Sequence, residues 1–423
     1  MSTIQAQLIG GVLDAGTLRE RLGVSPPTMM RLLRAEGQTV VRIGRTRATR
    51  YGLRRLWPTL TDTRFPLFRI DRAGNAHTVG ELLTLAARQS AWLPDGLVSD
   101  GLPPHVADAR PSGFLGRHFA AEHPDLALPP RLSDWSDHHI LLALARRGED
   151  WPGNLVVGDE SFDRWQRLTT PSVAREDYAR LANETIAGHP PGSSAGGERP
   201  KFGALLGDRH VLVKFAARGK RRDEAARRWC DLLVLEALAL QVIASRGLDA
   251  ATTTLIADSA HVFLESRRFD RVGPRGRLDV SSLASVHDNP ADSWARAATA
   301  LRDARRISEG DLRTLQWLDA FGALIGNVDR HHHNIVFFSD GDLLRLAPAF
   351  DQLPMLYAPL ADSQLPTREF RVPTATADTL DVWPDARDAA DEFWRTASRD
   401  ERLSASMRKV CAANATRLAQ GRQ

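Results

Sequence analysis

The period of the apolar positions changes several times along the chain, and each change marks an element. Between residues 16 and 37, GTLRERLGVSPPTMMRLLRAEG, Leu18 and Leu22 share one face of a short helix. Gly23 and Val24 make a turn, and Met29, Leu32 and Leu33 repeat at helical spacing. Ser25 is placed to cap the second helix, with Pro26 at its first position. Two short helices around a tight turn predict a helix-turn-helix, whose second helix enters the DNA major groove. Thr28, Met30, Arg31 and Arg34 fall on the outward side of that helix. The ribbon VVRIGRTRATRY at residues 40–51 follows. Its apolar flanks and Gly-Arg-Thr-Arg tip predict a β-hairpin wing. Arg42, Arg45, Arg47, Arg50, Arg54 and Arg55 are placed there to meet phosphates without reading sequence. The alternative is a helical hairpin used only for packing or dimerisation.

The pattern from Phe65 to Asp163 is less informative. Phe65 to Ile70 alternates and ends at a turn, which predicts a hairpin strand. Residues 79–87 predict an amphipathic helix, 138–146 another, and 155–157 a strand. Residues 163–192 are polar and predict helix plus linker. Further on, residues 211–215, VLVKF, form a strand pattern, 229–240 a buried helix, 261–271 a strand running into a hinge, 315–325 a helix, and 344–351 a short strand ending in an acid. The last 40 residues carry two helices, 385–398 and 403–420.

Composition narrows the classes. A chain of 423 residues suits two or three domains. No run of about 18 apolar residues is present, so no transmembrane helix is expected. The start MSTIQAQLIGG lacks a signal-peptide pattern, which places the protein in the cytoplasm. Two cysteines, Cys230 and Cys411, make neither a disulfide framework nor a cysteine-rich zinc site. Net charge is only +4, yet only four of the 56 basic residues are lysine: Lys201, Lys214, Lys220 and Lys409. A lysine inside an apolar strand of such a chain needs a reason.

Four elements then occur in the order that phosphoryl transfer requires. Ser193-Ser194-Ala195-Gly196-Gly197 begins a loop of small residues whose N–H groups can cradle a polyphosphate. Lys214 stands in the apolar strand that follows, where a kinase places the ammonium that holds nucleotide phosphates. Asp231 and Glu236, on the next helix, are both candidates to pair with it. Asp329 with Asn334 five positions later, in DRHHHN, is the spacing of a kinase catalytic loop: the aspartate accepts the substrate hydroxyl proton and the asparagine binds magnesium. Asp351 closes a short apolar strand where kinases place a magnesium-chelating aspartate. The hinge HVFLESRRFDR offers Glu265, Arg268 and Phe269 as candidate adenine contacts. Neighbouring histidines in a tight loop point in different directions, which argues against a zinc site at His331, His332 and His333.

GNVDRHHHN followed by LAPAFDQLP resembles the HipA family of bacterial toxin kinases, which carry GNxDRHxxN and then LAPxYD. SSAGGERPKF resembles their Gly-rich loop, VLVKF their lysine strand and RRFDR their hinge. The resemblance runs from about Phe65 to the C-terminus. The N-terminal segment looks like the YjjJ subgroup, in which a helix-turn-helix is fused to a HipA-like body. The resemblance implies a two-lobed, kinase-like α+β fold with an N-terminal winged helix-turn-helix (1–60), an N-terminal subdomain and N-lobe (61–265), and a helical C-lobe (266–423). It implies ATP and Mg2+ as cofactors, Asp329 as base, Lys214 on the phosphates, and Asn334 and Asp351 on magnesium. It also implies autophosphorylation of Ser194, with Ser193 adjacent. The implied protein substrate is an aminoacyl-tRNA synthetase or another translation protein. Further implied partners are DNA, a separate antitoxin and a second copy of the chain, with no membrane. Glu198-Arg199 in the loop, Phe350 for tyrosine and Arg267 before the hinge depart from the family pattern. A DNA-binding regulator with a kinase-like body, and a nuclease using Asp329, His331 and Asp351 as metal ligands, are the competing readings.

Overall fold

The structure, a computed structural model, describes residues 2–111, 113–187, 200–219, 223–360, 363–366 and 368–420. The chain divides into two compact units, one of residues 1–112 with 119–169, the other of 113–118 with 170–423.

The first unit opens with α1 (Thr3–Leu8), β1 (Leu13–Asp14), α2 (Ala15–Leu22) and α3 (Pro26–Ala35). The side chains of Asp14 and Ser25 cap α2 and α3, each accepting a backbone N–H of the first turn. Gly23, at φ 61, takes the left-handed conformation that ends α2 and turns the chain into α3. β2 (Val40–Ile43) and β3 (Arg50–Leu53) form the hairpin, and β1 pairs with β3 in the order β1-β3-β2.

A five-stranded antiparallel sheet follows, from β4 (Arg64–Ile70), β5 (Ala76–Thr84), β6 (Gln89–Leu93), β7 (Leu97–Asp100) and β8 (Leu155–Val157), ordered β7-β6-β5-β4-β8. The segment expected as a helix at 79–87 is instead most of β5 and the turn after it. Its apolar residues lack alternation because both faces of the sheet are covered. Leu82 packs in the core with Phe65, Leu67, Leu141 and Leu144, whereas Leu83 packs on the other face with Ile43, Leu85 and Ala91. Two-sided burial therefore imitates a helical period. The connecting helices are α4 (Pro104–Asp108), α5 (Gly113–Glu122), α6 (Asp137–Arg147) and α7 (Asp159–Arg167).

The β2–β3 hairpin packs into the sheet's core. Val12, Val41 and Ile43 meet Leu83, Leu85, Ala91 and Val98. The Val12 N–H donates to Gln89 Oε1 (2.8 Å), Trp57 Nε1 to the Leu85 carbonyl (3.0 Å), and Arg50 to the Gly96 carbonyl (2.6 Å).

The second unit begins with α8 (Tyr178–Ala187), β9 (Lys201–Leu206), β10 (Arg209–Ala217) and α9 (Glu224–Ser245). With β11 (Thr253–Ala257) and β12 (His261–Arg267) these build an antiparallel sheet ordered β11-β12-β10-β9. Tyr178 and Ala182 cover one face with Phe202, Val213 and Phe263; Leu233 and Ala237 of α9 cover the other with Ala216 and Leu264. Beyond β12 come β13 (Arg271–Val272), β14 (Gly276–Arg277), β15 (Val280–Ser282), α10 (Leu283–Val286), α11 (Trp294–Asp303), α12 (Glu309–Leu324), β16 (Val336–Asp340) and β17 (Leu343–Leu346). The two closing helices expected from the sequence are α13 (Trp383–Arg399) and α14 (Ala405–Gln420). A lobe boundary near 265 lies inside this second unit, at the end of β12. Among the described residues no helix is long and apolar enough to cross a membrane.

Candidate active site

Lys214 sits near the middle of β10, opposite Leu264 of β12 and Lys201 of β9. It is 8% exposed, and its Nζ donates to Glu236 Oε1 and to Asp351 Oδ1, both at 2.6 Å. The choice that sequence left open between Asp231 and Glu236 is thereby made. Five residues of helix separate the two by about 140° around the axis, so one face cannot present both. Glu236 faces the sheet, while Asp231 faces α14 and accepts the Ser404 N–H (2.7 Å) and hydroxyl (2.6 Å).

Burial alone would push the Lys214 ammonium pKa down, but the Asp351 and Glu236 carboxylates beside it outweigh that and hold it up. For Asp351, burial pushes the carboxyl up, and the Lys214 and Lys201 ammoniums overcome it and hold it below the usual carboxylate range. Lys201 is the residue that sequence reasoning passed over at this site. Directly opposed across two antiparallel strands, Lys201 and Lys214 lie on one face of the sheet, where like charges repel unless anions join them. The scarcity of lysine in the chain was the available signal.

Asp351 has φ 56, a left-handed conformation that is costly for a residue with a Cβ and is held by its surroundings. The preceding Ala349 is bonded on both sides: its N–H donates to the Asp249 carbonyl (2.9 Å) and its carbonyl accepts the Ala251 N–H (2.8 Å). Gln352, fully buried next to it, reaches Asn327.

The catalytic-loop candidates follow α12. Asn327 is fully buried, and its Oδ1 accepts the Asp329 N–H (3.0 Å). Asn334 Nδ2 donates to the Asp329 carbonyl (2.9 Å), which leaves its amide oxygen as the acceptor end. Arg330 folds back to Asp319 of α12 (3.1 Å) and to the Asn327 carbonyl, crossing Gly322 where a Cβ would stand 2.7 Å from its Cδ. These contacts fix the loop backbone while the Asp329 side chain stays 51% exposed. The three histidines diverge. His331 approaches Asp329 at 4.0 Å, His332 is buried on the Asp292 carbonyl (2.8 Å), and His333 lies near Ser282 (3.4 Å). Among the described residues no group of three His, Cys, Asp or Glu side chains could hold a metal.

At the hinge, the side chains proposed for adenine have partners within the protein. Glu265, 5% exposed, accepts both Arg175 bonds (2.9 Å each) and the Tyr178 hydroxyl (2.9 Å). Arg268 grips both oxygens of Asp270. Phe269 is half-buried, its ring 5.8 Å from Phe350 and 5.9 Å from Phe338. Ser193, Ser194, Ala195, Gly196 and Gly197 lie outside the described residues. In the first unit Arg31 and Arg34 are exposed on α3, and Thr28 is half-buried with its hydroxyl 2.9 Å from that of Ser25. Arg42 and Arg45 are exposed on the wing, Arg42 reaching Thr49, and Arg47 lies in the short turn Thr46–Ala48.

Two family models match this chain: a YjjJ-like toxin middle domain over residues 61–166 and a HipA-like C-terminal domain over residues 193–418. Toxin YjjJ of Escherichia coli (strain K12) is 34% identical over 432 residues, covering 97% of this chain and 96% of the relative. The chain belongs to the YjjJ-like branch of the HipA family. A HipA of Shewanella oneidensis MR-1, solved with HipB and its operator DNA, overlays this YjjJ-like chain with TM-score 0.52 at 14% identity, covering 84% of this chain and 96% of that one. That likeness carries the fold, a two-lobed kinase-like body. The HipA-like match spans β10, α9, residues 327–334 and Asp351.

Proposed function

We propose that this YjjJ-like chain is an ATP- and magnesium-dependent serine/threonine protein kinase. The observation that carries the reading is the single ammonium of Lys214 held between Glu236 and Asp351 on a kinase-like fold. Lys214 holds the nucleotide phosphates, with Lys201 beside it adding positive field. The Asp351 carboxylate and the Asn334 amide oxygen are hard donors of the kind magnesium takes when phosphate supplies its other ligands. Magnesium, when bound, neutralises charge on the phosphate oxygens. Asp329, on a fixed backbone with an exposed side chain, accepts the proton of the incoming hydroxyl. That exposure suits a base whose substrate is another protein, a translation protein such as an aminoacyl-tRNA synthetase by the family likeness. The test is transfer of label from [γ-32P]ATP with magnesium, followed by mapping. Label on Ser193 or Ser194, lost in the double alanine variant at these two positions, is the expected result. No label on the chain or on any protein of a lysate would remove the kinase reading.

We propose in addition that α3 and the wing bind DNA. Exposed Arg31, Arg34, Arg42 and Arg45 support this, as does the relative solved with operator DNA. Each arginine that meets a phosphate contributes about one unit to the slope of log affinity against log salt. Arg42→Ala with Arg45→Ala is therefore expected to lower that slope by roughly two, uniformly across sequences. Arg31→Ala is expected to weaken preferred sequences more than random DNA. Equal affinity of wild type and both variants would count against the interface. Cytoplasmic location and a dimer on a palindrome accompany this reading, and a separate antitoxin is the further partner it admits.

A further inference from the structure

Several buried polar side chains near the site take no part in the proposed chemistry. Asp231, Arg228, Tyr357 and Asn414 are each no more than 8% exposed. Burying such groups is costly, and well-packed apolar residues would hold the same helices together as firmly. What a satisfied polar network adds is a unique placement.

The placement in question is that of α9. Leu232, Leu233, Val234, Leu235, Leu238 and Leu240 are buried around its circumference. Apolar contacts of that kind specify position along and around the axis only loosely. Directional bonds specify it. The Asp231 carboxylate receives both the N–H and the hydroxyl of Ser404, at the start of α14. One turn earlier, Arg228 donates to the Tyr357 carbonyl (3.2 Å), in the turn Met355–Tyr357 beyond Asp351. The Tyr357 hydroxyl is in turn held by Asn414 of α14, at 2.7 Å from Nδ2 and 3.1 Å from Oδ1. One C-terminal helix therefore grips both the helix that carries Glu236 and the segment that follows Asp351.

We propose that α14 is a positioning element of the active site: through Ser404–Asp231 and Asn414–Tyr357 it sets the rotation of α9, so that Glu236 meets Lys214, and the course of the chain after Asp351. Ser404, Asp231 and Asn414 are positioning residues, not catalytic ones. The proposal rests on the kinase reading only for its activity readout.

The test uses the full chain as wild type, Ser404→Ala, the near-isosteric Asp231→Asn, and Lys409→Ala on the exposed side of α14 as control. By hydrogen exchange, the α9 amides near Asp231 and Glu236 are expected to exchange about tenfold faster in the first two variants, with α11 unchanged and the control like wild type. Unchanged α9 exchange in both variants overturns the proposal, whether or not the protein is a kinase. In phosphate transfer, Ser404→Ala is expected to lower kcat about tenfold with KM for ATP within about threefold. In a Glu236→Gln background the same change is expected to cost less than about threefold, because the contact it positions is already gone. Fully multiplicative losses would mean that Ser404 supports the fold independently of Glu236, and would overturn the proposal. A wild type that transfers no phosphate removes the kinase reading and leaves the exchange result to decide.

Discussion

Lys214→Met is expected to cost the fold about 3–5 kcal/mol and to lower phosphate transfer by at least about a hundredfold. The stability loss comes less from the missing bonds than from what they leave behind. Glu236 is 3% exposed, and without the ammonium its carboxylate is a buried charge that has lost its 2.6 Å ion pair to Lys214. For a unit of this size, about 3–5 kcal/mol corresponds to roughly 6–20 °C in Tm. Adding Glu236→Gln is expected to restore a large part of the stability and none of the activity. The pH dependence has a definite sign. Asp351 is held below the ordinary carboxylate range, so its contribution is present above that range and lost as pH falls through its folded value. The variant lacks the ammonium that holds the Asp351 carboxyl down, and with it that contribution. The stability gap between wild type and Lys214→Met is therefore full near neutral pH and narrows only below about pH 4, as pH falls towards the folded value of Asp351. Denaturant unfolding at several pH values measures this; a gap that widens on acidification would contradict the charge argument.

Asp329→Asn is expected to behave in the opposite way: phosphate transfer falls by about 10²–10⁴ while stability stays within about 0.5 kcal/mol of wild type. The Asp329 side chain is half exposed, and it lies 4.0 Å from the His331 ring nitrogen. The contacts that hold the loop run through its backbone, to Asn327 and Asn334, and survive the change. KM for ATP is expected to move little, since the proposed nucleotide and magnesium contacts are those of Lys214 and Asp351. Single-turnover transfer alongside thermal melting separates the two quantities. Retained transfer would remove Asp329 from the role of base.

The meeting of Lys214 with Asp351 could be read from chain order, because the kinase pattern puts a lysine strand before a closing aspartate. What could not be read depended on rotation or on distant partners. Asp231 and Glu236 both lie on a helix buried all round, and only the packing of that helix between the sheet and α14 decides which acid meets Lys214. Glu265 falls in the hinge pattern, yet its carboxylate turns to Arg175 and Tyr178, some ninety positions earlier in the chain. Residues 79–87 carried a helical period because β5 is covered on both faces. The strand expected over 344–351 ends at Leu346, so Phe350 and Asp351 lie beyond it, and the left-handed φ of Asp351 carried no sequence signal at all.

Ile43 and Val41 share a core with Leu83 and Ala91, so the helical pair cannot be shed from the middle sheet without opening that core. Where two separate proteins act together, their ratio follows from how fast each is made and destroyed. In this chain the ratio is one, set by translation and preserved through turnover. Whatever the N-terminal helices bind is met, as each chain is made, by one kinase-like body per helical pair. Control of such a molecule acts on its total amount or its ligands, since the helical pair and the middle sheet share one core and neither is depleted ahead of the other.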